Sequence, residues 1–442
     1  MSVTDKNKGC GIGFLTCLSL VTATMVGTGV FTSLGFQLQD LKSGFSILSL
    51  WILGGLISLC GALSYAELAA RIPRSGGEYT YLSEIYHPAL GFMAATVSLI
   101  AGFAAPISLS AIAFGTYWNA AFPSCPTRLS TIAVVVLISL GHLGSLKRSS
   151  ILQNGVTALK FLLVGLFIIF GITSACCHPD SIRILLPQQG SLAELARPTS
   201  GIALLFVLYS YSGWNAATYL ASEVRYPRKT VGYSLVIGTL GVTFLYLVLN
   251  AVFLTAAPAN DLSGVLNVGS VAANHLIGAI GGRVMSGIIA LGLVASISAM
   301  IWAGPRVTQC VGEDYRFFAP LAKKRNEIPQ RAILLQLMLV LGMVAFGSFE
   351  TVLIFAQIPL MLCLMLGVVG LIVCRQRPNK TPLEDIPFTC PLYPIPQVIF
   401  LICSGAGLVY SVITKPLIAL AGGVLMLIPI FLHRWISQKR QP

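Results

Sequence analysis

Twelve stretches of this chain are continuously apolar over a length that matches a lipid bilayer: roughly 11–36, 44–70, 88–121, 127–146, 152–175, 198–224, 231–256, 282–312, 331–348, 350–374, 395–414 and 416–434. Crossing a bilayer core takes about 20 helical residues, and inside it every backbone amide and carbonyl must find a partner without water. The third run is long and has Pro106 near its middle. No polar turn separates residues 105 to 108, so one tilted or kinked helix is expected there. Only 10% of the 442 residues are charged and 55% are hydrophobic, against about 25% charged in a soluble domain. The expected fold class is an all-α integral membrane protein of 12 transmembrane helices.

A net charge of +13 would suit nucleic acid, but the placement of the charges removes that reading. With the N-terminus in the cytoplasm, 21 of the 28 Lys and Arg residues fall in inside loops and tails, six fall outside, and Lys160 lies within a span. That asymmetry is the positive-inside pattern of a membrane protein with both termini cytoplasmic. The loops are short, which leaves no room for a soluble catalytic domain. The polar stretch 71–87 is expected to hold a short interfacial helix, because Tyr79, Leu82 and Ile85 recur at helical spacing. The 11 cysteines show no metal-ligand spacing and read mainly as small apolar filler. No cleavable signal peptide is expected: the first apolar run is longer than a signal core and no A-x-A site follows it.

Two runs are interrupted. Met25-Val26-Gly27-Thr28-Gly29-Val30-Phe31 places two glycines around a hydroxyl in the first, and the hydroxyl-rich Tyr209-Ser210-Tyr211-Ser212-Gly213-Trp214-Asn215 places one glycine in the sixth. Each interior glycine costs about 1 kcal/mol of helix propensity, and unpaired backbone in hydrocarbon costs several kcal/mol per group. Such breaks are tolerable where they face a cavity. Interrupted segments five spans apart are the sequence pointer to a transporter site between two five-span repeats, the second inverted. A restarted helix offers free amides and the positive end of its dipole to a carboxylate. Gly27, Thr28 and Gly29 let a ligand approach the backbone, and the carbonyls of Met25 and of residues near Tyr209 to Ser212 and Gly213 are left to accept from an ammonium group. A ligand with both groups a few ångströms apart is an α-amino acid.

The residues VGTGVF at 26–31, GALSYAELAARIPRSGGEYTYL at 61–82, YSGWNAATYLASEVRYPRKTV at 211–231, and the segment from Arg306 through EDYRFF to IPQRA at 328–332 resemble the amino acid–polyamine–organocation superfamily, most closely its amino acid permeases. The resemblance implies a LeuT-type fold with two inverted five-helix repeats, broken helices 1 and 6, and two further C-terminal helices. It implies a division into a cytoplasmic N-terminus (1–10), one transporter domain over 11–434 and a cytoplasmic tail (435–442). Within the domain, repeat one covers about 11–175, repeat two about 198–374 and the extra helices about 395–434. It also implies that Thr28 and Gly29 bind the substrate carboxylate, that Met25 offers a carbonyl to the amine, and that Tyr209 closes over the substrate. Ser212 stands where relatives often have glycine and narrows the pocket. Lys160 matches a lysine that replaces a sodium ion and is linked to proton coupling, although exchangers of the superfamily carry it too.

Lys160 is also anomalous on its own terms, since an ionised group at that depth costs on the order of 3 kcal/mol or more and is functional by default. Snorkelling to the surface and a fixed structural cation are its alternatives. Glu67, Arg71, Glu223 and Arg228 lie at inner helix ends and form a candidate cytoplasmic gate; Trp302, Pro305 and Arg306 are placed to line or brace the pathway, and His142 reads as structural. No acid lies deep in any predicted span, which favours neutral substrates. No H-E-x-x-H, G-x-S-x-G, nucleotide or haem motif is present, so neither an enzyme nor a cofactor nor a metal site is expected. The predicted activity is secondary active transport of amino acids, coupled to protons, with obligate exchange as the close alternative and a flux-less membrane sensor as a remote one. The expected partners are a small amino acid, protons and the bilayer; the oligomeric state stays open. Short loops suggest a bacterial inner membrane.

Overall fold

The computed structural model describes residues 11–144, 146–177, 179–325, 327–347, 349–377 and 386–437. The predicted N-terminal segment 1–10 and the last five residues of the predicted tail lie outside the described residues. The first predicted span is two helices, α1 (Phe14–Met25) and α2 (Thr28–Asp40), because Val26 and Gly27 leave helical geometry between them. Helix α3 (Gly44–Arg71) starts under a Ser43 cap, whose side chain accepts from the Ser46 amide, and at 28 residues runs about 42 Å.

The polar stretch that follows folds as α4 (Glu78–Ile85), with Tyr79, Leu82 and Ile85 all buried. Its entry needs Gly76 and Gly77, whose φ angles of 109° and 55° lie in the left-handed region. Helix α5 (Pro88–Val97) continues through a π-helical turn, Ser98–Ala104, into α6 (Ala105–Ala121). The wide turn lies just ahead of Pro106, which has no amide to donate, and the third span stays one helix as expected.

Helices α7 (Thr127–Gly141) and α8 (Leu146–Cys177) follow. After the short α9 (Ser191–Leu195), α10 (Pro198–Tyr211) ends at Ser212 and the chain resumes as a 3-10 stretch, Ala216–Glu223, across a Gly213 with φ 98°. Then come α11 (Pro227–Ala256), α12 (Ala259–Leu262) and α13 (Val268–Ala303). The stretch 257–281 between the predicted spans is largely helical, and Gly278, at φ 75°, kinks its helix into the following span. The chain closes with α14 (Pro305–Asp314), α15 (Ala319–Ala322), α16 (Gln330–Phe346), α17 (Phe349–Gln376), α18 (Ile395–Thr414) and α19 (Pro416–Ser437).

Among the described residues nine helices are long and apolar enough to cross a membrane, and no strand beyond isolated bridges occurs. The predicted spans 127–146, 198–224 and 331–348 correspond to shorter helices of 15, 14 and 17 residues. Helix α1 lies at the centre, packed on α8, α11 and α13, while α3 runs along α11. The last two helices pack outside, α18 on α3 and α17, and α19 on α5 and α17. Their outer faces carry exposed Ile402 and Ile413 on α18 and Leu417, Phe431 and Trp435 on α19, the surface expected of a multi-pass membrane protein in contact with lipid.

Candidate functional site

The two breaks meet in one small cavity between the helices. All seven residues singled out for ligand contact line it: Met25, Gly27, Thr28, Gly29, Tyr209, Ser212 and Gly213. The remaining wall comes from Thr24 and Ser210 beside the breaks, from the third span (Gly102, Phe103, Pro106, Ser110), from Met300, from Leu360 and Leu364, and from Asn215, Ala216 and Tyr219 beyond the second break.

The first break presents its donors to this space. Among the described residues no acceptor pairs with the amides of Thr28 and Gly29, and Gly27 gives no side-chain cap. Thr28 Oγ1 lies 3.3 Å from the Tyr209 hydroxyl, which ties the two breaks together. Gly29 has a second reason to be glycine: an added Cβ would meet Ser210 Cα at 2.5 Å, whereas at Gly27 nothing lies nearer than Ser296 Oγ at 3.7 Å. The Ser210 hydroxyl is itself engaged, with Ser33 at 2.9 Å and the Phe206 carbonyl at 2.8 Å.

The carbonyl side differs from expectation. Met25 O already accepts from the Gly27 amide at 2.7 Å and from the Tyr246 hydroxyl, which also donates to Ser210 O at 2.8 Å. Tyr246 escaped sequence reading because a tyrosine in an apolar span carries no anomaly. Lys160 does not snorkel. It is fully buried, and its Nζ donates to Val26 O, to Ala23 O at 3.3 Å and to Ser296 Oγ at 2.6 Å. Ser296 in turn donates to Val26 O at 2.7 Å. The protein's own ammonium thus takes the carbonyls that α1 leaves open at its end.

Beyond the second break, Asn215 Nδ2 donates to Glu78 Oε1 at 2.6 Å and the Tyr219 hydroxyl donates to Glu78 Oε2. Glu78 is fully buried and does not itself line the cavity. It too was missed, because an acid in a polar connector looks ordinary.

The candidate gate residues separate into two groups. Glu67 accepts from Arg71 Nε at 2.8 Å, from Arg375 Nε at 3.0 Å and from the Cys390 amide at 2.8 Å. Glu223 pairs with Arg306 at 3.2 Å, while Arg228 is exposed and forms no ion pair found among the described residues. Arg306 also donates to Trp302 O at 2.8 Å. A further pair, Arg74 with Asp314 at 2.7 Å, includes the Tyr79 hydroxyl. His142 is buried against Ser298 at 2.9 Å. Among the described residues no cluster of His, Cys, Asp or Glu could hold a metal ion.

Such a cavity, with amide and hydroxyl donors at one end and apolar walls, can hold a small zwitterion. The sequence matches the model of a family described as amino acid permease over residues 12–431. The chain is 28% identical over 412 residues to the serine/threonine exchanger SteT of Bacillus subtilis, covering 90% of each chain. It is 26% identical over 435 residues to human large neutral amino acids transporter small subunit 2, covering 95% of this chain and 79% of the relative. It is 29% identical over 259 residues to mouse b(0,+)-type amino acid transporter 1, covering 57% of this chain and 52% of the relative.

Proposed function

The chain belongs to the amino acid permease family, a family of transporters and not enzymes, and from that premise we propose that it exchanges neutral amino acids across the membrane by alternating access around the two breaks. The observation that carries the reading is the pair of unpartnered amides at Thr28 and Gly29, at the positive end of α2 inside the cavity. The substrate carboxylate sits there, with Thr28 Oγ1 as a further donor. Its ammonium faces the carbonyl end of α10, near Tyr211 and Ser212. Its side chain points to Phe103, Pro106, Ser110, Met300 and Leu360, a wall with no charge, which is why neutral substrates are favoured. Tyr209 covers the ligand through its contact with Thr28.

Exchange is preferred to proton symport because of Lys160. With three acceptors around one ammonium it is a fixed cation that ties the end of α1 to α13. A relative named as an exchanger supports the same choice. Proton symport is the second reading, favoured by the burial of the same amine. The architecture that serves either is the twelve-helix one, with inverted repeats over about 11–175 and 198–374, helices about 395–434 outside them, and both termini in the cytoplasm of a bacterial cell.

Proteoliposomes separate the readings. Uptake of labelled serine, alanine or leucine should require unlabelled amino acid inside and should ignore an imposed pH gradient. Uptake into empty vesicles driven by the gradient would establish symport instead. No uptake under either condition, with binding retained, would leave a sensor.

A further inference from the structure

The loop that joins α14 to α16 gathers cations that the transport reading leaves without a task. Arg316, Lys323, Lys324, Arg325 and Arg331 follow one another there, and all five are exposed. Among the described residues none of them belongs to an ion pair. The acids nearby do not balance them. Glu327 is exposed in the same loop, Glu313 accepts from Gln309 at 2.6 Å, and Asp314 is taken by Arg74 at 2.7 Å. The loop has a built shape. Arg325 and Ile328 exchange both backbone hydrogen bonds, at 2.9 and 3.1 Å, Arg331 Nη1 donates to Pro320 O at 3.4 Å, and α15 packs on both α14 and α16.

The helix that follows says which anion fits. At 17 residues, or about 26 Å, α16 is close to the shortest helix that crosses hydrocarbon. Arg331, in its first turn, therefore lies at the level of the lipid headgroups. Leu334 and Met338, three and seven residues on, share its face and are 45% and 67% exposed. The same stripe continues to Gly342, which is exposed and would meet nothing within 4 Å if it carried a Cβ. Phe317, 64% exposed beside Arg316, adds an aromatic ring of the kind that seats at the membrane interface. A soluble polyanion would use the charges and ignore the apolar stripe. A phospholipid uses both.

We infer that this loop and the outer face of α16 form a binding site for an anionic phospholipid, its phosphate among the five cations and an acyl chain along Leu334, Met338 and Gly342. Guanidinium groups suit the phosphate because they offer paired donors. Membrane topology asks only that cations stay on one side; it does not ask that five of them share one loop. The start of α11 is a fair comparison. It has a lipid-facing side too, with Ile237 and Phe244 exposed, but of its three cations Arg225 lies over the Tyr226 ring at 5.4 Å, which leaves Arg228 and Lys229. Each cation near an anionic surface contributes about a fivefold gain in binding, so the α14–α16 loop holds the lipid more tightly. The loop continues from α14, whose Arg306 and Asp314 pair with Glu223 and Arg74, so a lipid held there braces that end of the molecule. The inference does not depend on what the protein transports.

The test uses the purified full-length protein in a neutral detergent. Phosphatidylglycerol, phosphatidylcholine with the same acyl chains, and glycerol phosphate are added in turn. Native mass spectrometry reads the lipid retained, and a melt reads the thermal midpoint. The wild type should retain phosphatidylglycerol in preference to phosphatidylcholine and melt higher with it, and glycerol phosphate at the same concentration should leave the midpoint unchanged. Lys324→Gln with Arg331→Gln should weaken phosphatidylglycerol binding by about fivefold for each cation removed. Arg228→Gln with Lys229→Gln removes the same charge at the start of α11 and should weaken it less. Should the first pair fail to fold, Lys323→Gln with Arg325→Gln takes its place. Equal losses in the loop pair and the α11 pair would reduce the effect to diffuse surface charge and overturn the site. Equal retention of the two lipids overturns it as well, and equal stabilisation by glycerol phosphate would assign the cations to a free anion instead of a lipid.

Discussion

Lys160 and the glycines of the first break explain most of how that break is held. The amine satisfies Ala23 O and shares Val26 O with Ser296, and an orphaned buried carbonyl costs about 1–3 kcal/mol. Lys160→Met should therefore lower stability by about that amount, offset in part by the charge no longer buried, and should weaken amino acid binding because the end of α1 relaxes. A thermal melt and a binding titration check this; unaltered binding would mean that the lysine does not shape the site. The two glycines make a sharper pair. A Cβ at Gly29 runs into Ser210 backbone, so Gly29→Ala should lose about 1–3 kcal/mol through overpacking, whereas Gly27→Ala has space and should melt near wild type with reduced ligand affinity. Loss of binding in Gly29→Val would on its own confuse packing with recognition. These residues were legible in the sequence because a charge or a glycine in an apolar run is anomalous there. Their partners were not, since backbone carbonyls and a buried tyrosine such as Tyr246 leave no mark in composition.

Between elements, the end carrying the predicted cytoplasmic loops is tied by side chains whose pairing the sequence suggests only where it is local. Glu67 and Arg71 are one helical turn apart, and that pair is found. Arg375, from the end of α17, and the Cys390 amide, from the segment before α18, join the same carboxylate. Three elements thus converge on one buried acid. Glu67→Gln should leave Arg71 and Arg375 without their anion and cost about 3–5 kcal/mol, read as a lowered thermal midpoint; a loss no larger than that of an exposed control such as Arg228→Gln would show the cluster to be marginal. Glu223 illustrates the opposite case. Its sequence neighbours Arg225 and Arg228 lie on or beyond a chain reversal, at a Tyr226 with φ 56°, and both are exposed. Its partner Arg306 arrives from α14, through a turn of the tertiary fold that proximity in sequence cannot show. Helix identity and the two breaks were readable from periodicity and interruption; which helix ends meet depends on packing that no single segment encodes.

For the whole molecule, alternating access requires that one end release while the other holds. At the end carrying the predicted cytoplasmic loops, Glu223 acts twice. Its carbonyl accepts from the Ile12 amide at 2.8 Å, beside the Arg225 amide bonded to Ile12 O at 2.9 Å, and its carboxylate meets the buried Arg306. The segment before α1 and the end of the 3-10 restart are therefore joined by backbone, and the joint is fastened to α14 by charge. At the other end, among the described residues, the Lys42 amide bonds Glu194 at 2.8 Å, the Gly264 amide bonds Gly35 O at 2.8 Å, and the half-exposed Asp261 meets His275 at 3.0 Å. Losing a charge contact made only in one state shifts the equilibrium by its coupling energy, and couplings of about 1–3 kcal/mol move populations about 5- to 150-fold. Glu223→Gln keeps the backbone pair and removes the charge, so it should favour the state open to the cytoplasm. The measurement is labelling of Ser212→Cys, which lines the cavity, by a membrane-impermeant maleimide applied from the cytoplasmic side. Subtracting the rate of the Ser212-containing parent accounts for the native cysteines, of which Cys176 is exposed. Labelling should accelerate at least several-fold in the Glu223→Gln background, and Arg306→Gln should produce the same change with no further gain in the double variant. An unaltered rate in both backgrounds would mean that this ion pair fixes the fold and takes no part in the gate.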